Sequence, residues 1–155
     1  MTNTLSESPK ARCHVAFSIF GASLDSRAIS ETLKLQPFHT HSAGDRYVQG
    51  AYPTDAWSIK SLLEKTEPLD AHLRWLREKL EPHSEYLRSL AGKAELRVYI
   101  GFTFRCEQNG FSVSPENLRF FTELNIAMEV TILCGPHAST GASYDPGTDG
   151  PGAMG

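Results

Sequence analysis

In Glu95-Leu96-Arg97-Val98-Tyr99-Ile100-Gly101-Phe102-Thr103-Phe104-Arg105, the residues Leu96, Val98, Ile100, Phe102 and Phe104 alternate with Arg97, Tyr99, Gly101 and Thr103. Period-two alternation marks a strand with one buried face. Downstream of Asn109-Gly110, Ser114 is placed to accept from the free amides of a helix with Pro115 at its first position and Glu116 near its positive end. That helix carries Leu118, Phe121 and Leu124 and is expected to end near Asn125. Met128, Val130, Ile132 and Cys134 then alternate with Glu129, Thr131 and Leu133 in a second strand. Ala94 to Cys134 therefore reads as strand, helix, strand, and every other segment must pack on that unit.

A chain of 155 residues supports one domain with a substantial core. Its net charge of -3 provides no global basic field to gather nucleic acid or an anionic membrane. The three cysteines, Cys13, Cys106 and Cys134, lie in or beside expected strands and suit a reducing compartment better than a disulfide scaffold. No apolar run approaches the roughly 20 residues of a membrane helix, so the expected location is cytoplasmic.

Met1 to Ala11 is polar and is expected to be a flexible lead. Arg12 to Phe20 alternates as a first strand, with Cys13, Val15, Phe17 and Ile19 on one side. Asp25 is a plausible cap for a helix bearing Ile29 and Leu33, closed by Gln36-Pro37, because a residue before proline avoids the helical region. An apolar residue before each cap, Leu24 and Val113, suggests a duplicated strand-to-helix unit, although such staples also recur in unrelated helices. Arg46-Tyr47-Val48-Gln49 and Trp57-Ser58-Ile59-Lys60-Ser61 are expected to pair as a hairpin across Gly50 to Asp55. Leu69, Leu73, Leu76 and Leu80 share one helical face, with Asp70, Arg74, Arg77, Glu78 and Lys79 solvated around it. Glu81-Pro82 interrupts this helix, and Tyr86, Leu87 and Leu90 suggest a second piece. From Gly135 onward the composition of Gly, Ala, Ser, Thr, Pro and Asp is that of a disordered tail.

The expected fold is α+β, with residues 12-134 as a single domain. Its sheet is mixed but mostly antiparallel, about five strands wide, with helices packed on one face, like a ferredoxin-like sandwich with an added helix and strand. Several motifs carry a family resemblance: Phe17-Ser18-Ile19-Phe20-Gly21, the helix from Leu24-Asp25 to Leu35 with Pro37, Gly44-Asp45, Trp57-Ser58-Ile59, the Leu69 to Leu80 helix, and Phe111 to Leu118. In these the chain resembles the bacterial domain-of-unknown-function family DUF4279, over about Val15 to Leu133. The resemblance implies a small bacterial α+β domain, in some cases an accessory or immunity-type binding protein, and carries no chemistry with it.

The chain shows no Cys-x-x-Cys, phosphate-binding glycine loop, His-Glu-x-x-His or nucleophile elbow. His39-Thr40-His41 with Asp45 gathers donors in a loop, but no further metal ligand is marked by spacing, so neither metal nor cofactor is expected. Cys106 with His14 or His137 as base is a conceivable nucleophile, against the commoner role of a packed thiol. If helices cover the face of Phe17, Ile19, Val98, Ile100, Phe102, Val130 and Ile132, the reverse face shows His14, Ser18, Phe20, Ser58, Lys60, Arg97, Tyr99, Thr103, Glu129 and Thr131. Two readings follow. A non-catalytic protein would bind a protein partner or a second copy of itself through Arg97, Tyr99, Thr103, Lys60 and Glu129, with nucleic acid disfavoured and no membrane involved. Alternatively, a small-molecule binder or small enzyme would use a pocket formed by Asp45, Arg46, Trp57, His39 and His41.

Overall fold

The computed structural model describes residues 11–105 and 109–134. The chain runs β1 (Arg12–Gly21), α1 (Ser26–Leu33), β2 (His39–His41), β3 (Arg46–Tyr47), β4 (Gly50–Ala51), β5 (Asp55–Lys60), α2 (Leu69–Leu80), a 3-10 turn (Glu81–His83), α3 (Ser84–Ser89), β6 (Ala94–Phe104), α4 (Pro115–Glu123) and β7 (Ala127–Cys134). A five-stranded sheet has the order β2-β5-β1-β6-β7. All its pairings are antiparallel except that of β6 with β7. This is the mixed, mostly antiparallel α+β sheet that the alternation predicts. Residues 1–10 of the lead, the tail, Cys106 and His137 lie outside the described residues, while Ala11 is partly buried against the core.

Both caps form as read. The Asp25 side chain accepts from Ala28 N at 3.0 Å, and Ser114 Oγ accepts from Asn117 N at 3.4 Å. Asn125 then leaves α4 with a left-handed φ of 53°. The leucine stripe of α2 is buried against Val15, Phe17, Ile19, Val98, Ile100 and Phe102, and residues of α1, α3 and α4 join the same core. The helices therefore share one sheet face. The two strand-helix-strand units are not equivalent: β6 and β7 are parallel neighbours, whereas β5 separates β1 from β2.

Three expectations are corrected. Trp57 and its neighbours do not pair with Arg46–Tyr47. β5 inserts between β1 and β2, while β3 and β4 form their own two-stranded ribbon. The reason is burial: Trp57 and Ile59 need a covered sheet face, whereas Arg46 and Tyr47 have little to hide. On α4, Leu118 faces outward at 46% exposure, and Asn117 takes the buried position at 1%. Val130 and Ile132 do share the face of Ile100 and Phe102 by register, but they are 43% and 54% exposed because β7 is an edge beyond the reach of the helices. No helix among the described residues is long and apolar enough to cross a membrane.

Candidate functional site

The sheet face opposite the helices was the expected binding surface, and its centre is closed. Ala16, Ser18 and Ser58 form a floor of small side chains, with Ser18 Oγ and Ser58 Oγ 2.7 Å apart. The Tyr99 ring lies along its own strand above Gly101, where an added Cβ would sit 3.3 Å from its Cε1. Tyr99 points away from the helices as the alternation requires, yet it is only 6% exposed. Arg97 is held in place from two sides. Its Nη1 donates to Glu129 Oε2 at 2.9 Å, its Nε donates to Glu95 Oε1 at 3.1 Å, and the guanidinium carbon sits 5.2 Å from the Phe20 ring centroid. Arg97 and Tyr99 are therefore built into the fold, and Arg97→Glu with Tyr99→Ala would disturb it. The change would bring three carboxylates together and open a hole beside Ala16. Lys60 is exposed, and Thr103 and Glu129 are half-buried, so what this face offers solvent is its perimeter.

Of the second expected site, His39, His41 and Asp45 lie near one another, whereas Trp57 and Arg46 are set apart from them. Trp57 is fully buried on the helix-covered face, where its indole N–H donates to Ser30 Oγ at 2.9 Å. Asp45 shapes a turn: its Oδ2 accepts from Ser42 N at 2.8 Å, and Gly44 follows the turn with a φ of 87°. Arg46 is exposed in the small ribbon. His39 Nε2 and His41 Nδ1 are 3.0 Å apart, and the His41 ring stacks on Tyr52 at 3.6 Å. Burial, and then the neighbouring His39, push the His41 pKa below its usual value. Among the described residues there is no group of three or more His, Cys, Asp or Glu able to hold a metal ion. Burial also raises the Cys13 thiol to about 11, which leaves it protonated and unreactive near neutrality.

His14 and His72 share the downward shift, in each case chiefly through burial. A histidine whose folded pKa lies below its unfolded value binds fewer protons when folded, so its contribution to stability holds above the ordinary value and is lost as pH falls through the folded pKa. Denaturant midpoints are expected to fall on acidification from neutrality to below about pH 6. A midpoint that is flat or rises over that range would contradict the burial of these imidazoles.

The structure assembles a different concavity that sequence reasoning missed. Lys34 ends α1 in a left-handed conformation with a φ of 54°, and Gln36-Pro37 keeps the helix from resuming, so that Leu35, Pro37 and Phe38 form a lip. This lip meets Ile59 and Lys60 at the end of β5, Leu62 beyond it, and the flank of α2, enclosing a cleft of about 350 Å³. Trp75 and Lys79 belong to that flank. Their i,i+4 spacing places Lys79 Nζ 5.5 Å from the Trp75 ring centroid, and Lys60 Nζ stands 5.4 Å from that of Phe38. A wider groove of about 530 Å³ lies between the turns at the starts of β6 and β7, but Ala91, Gly92, Ala94 and Ala127 make much of its wall. The usable signal in the sequence was a tryptophan one turn before a lysine, set off the leucine stripe.

The family model of a domain of unknown function, DUF4279, matches residues 11–135. The chain belongs to this family. No curated protein and no solved structure matches it. For this DUF4279 protein the site's chemistry must therefore be read from its own geometry. The cleft combines apolar walls with two ammonium groups at its edge, Lys60 and Lys79.

Proposed function

We propose that this DUF4279 protein is a non-catalytic binding protein and that its ligand seats in the cleft between the Leu35–Phe38 lip and α2. The observation that carries this reading is the cleft itself: rings of Trp75 and Phe38 and the side chains of Leu35 and Ile59 around a volume of about 350 Å³. Volumes of a few hundred Å³ with mostly apolar walls and a few polar groups are typical of small-molecule sites. The closed centre of the opposite sheet face argues against Tyr99 as an anchor for a protein partner and favours the cleft that Lys60 lines.

The probe is 8-anilinonaphthalene-1-sulfonate, followed by its fluorescence. Saturable one-site binding is expected, weakened about tenfold by Trp75→Ala, an amount that corresponds to roughly 1.4 kcal/mol. Leu62→Asp, on an exposed side chain at the rim, provides a second test independent of core packing and is expected to weaken binding as well. Unsaturable binding, or binding indifferent to both substitutions, would overturn the proposal.

A further inference from the structure

From the charges around this cleft we infer its ligand class: a free small organic anion, a carboxylate with a compact apolar body. The inference rests on the cleft reading above and adds the charge requirement. The lining contains two lysines and the Gln36 amide, and no aspartate or glutamate. In a chain of net charge -3, two cations beside an apolar cavity run against the global balance. Neither lysine pairs with a carboxylate among the described residues, where the ion pairs are Arg27 with Glu31 and Arg97 with Glu95 and Glu129. Each ammonium instead stands over an aromatic wall of the cavity, Lys60 over Phe38 and Lys79 over Trp75. The rings hold the two cations at the cavity without neutralising them, so the strong partner each lacks is an anion delivered from solution. A ligand satisfying both features inserts an aryl or alkyl body between Leu35, Ile59 and Trp75 and leaves its carboxylate at the rim. A positively charged ligand of the same shape would meet like charge.

The test compares 4-phenylbutanoate, 4-phenylbutan-1-ol and 4-phenylbutylamine by titration calorimetry on the full chain. The carboxylate is expected to bind about tenfold tighter than the alcohol, with the amine weakest, and added salt should shrink the preference because exposed charge pairs are screened. Lys60→Gln with Lys79→Gln, two exposed side chains, is expected to remove the preference while retaining binding of the alcohol. Equal affinity for carboxylate and alcohol in the parent, or a preference that survives the double substitution, would overturn the anion inference and leave the cleft reading standing. If none of the three compounds binds and the fluorescent probe is also indifferent to Trp75→Ala, both readings fall.

Discussion

Trp57→Ala is expected to lower the stability of the fold by about 3 to 5 kcal/mol, the range for deleting a large aromatic from a core. Trp57 has no exposed surface, and its indole N–H donates to Ser30 Oγ at 2.9 Å, so one side chain both fills the space under α1 and ties that helix to β5. Against a typical total of roughly 5 to 15 kcal/mol, such a loss brings the protein close to unfolding at ambient temperature. Trp57→Phe separates the two contributions, because it keeps much of the volume and removes the hydrogen bond, worth about 1 kcal/mol. Urea midpoints for the two variants provide the comparison. A near-neutral Trp57→Ala would mean that this face of β5 is not covered by α1.

Asn117→Leu is expected to cost about 2 to 3 kcal/mol, although it exchanges a polar for an apolar residue at a buried position. The amide of Asn117 bridges α4 and α2. Its Nδ2 donates to Asp70 Oδ1 at 2.8 Å and to the Asp70 carbonyl at 3.1 Å, while its Oδ1 accepts from Arg77 Nε at 2.9 Å. Asp70 Oδ1 also accepts from Ser114 N at 2.7 Å, the backbone amide of the residue that caps α4. Leucine would leave two charged side chains short of partners. Leu118→Asn, one residue further on an exposed flank, is expected to stay within about 0.5 kcal/mol. The hydrophobic pattern alone predicts the opposite ranking, so the sign of the difference between the two variants is decisive. Burial raises the Asp70 pKa, but its donors and Arg74 outweigh this and leave it depressed. That part of the stability is present above the ordinary carboxylate range and is lost as pH falls through the folded value, a pH dependence that Asn117→Leu should weaken.

The elements were legible wherever their cause is local. Alternation in Leu96 to Phe104 reflects the two-residue repeat of a pleated strand, and Asp25 and Ser114 are caps because a side-chain oxygen reaches an amide three residues on. The leucines from Leu69 to Leu80 fall on one face by helical geometry alone, and family membership could be read from short motifs of this structural kind. Strand partners could not be read in this way. β5 joins the main sheet because Trp57 and Ile59 need covering by segments distant in sequence, and that requirement outweighs the nearby hairpin turn. Coverage was equally hidden: Val130 and Phe102 carry the same alternation signal, and only the place of β7 at the sheet edge leaves Val130 exposed. The buried Asn117 ran against the pattern because its partners Asp70 and Arg77 lie 47 and 40 residues away. The cleft was the least legible feature, since Leu35, Ile59 and Trp75 become neighbours only when α1, β5 and α2 pack together. A pocket is a property of that packing, and no short stretch of chain encodes it.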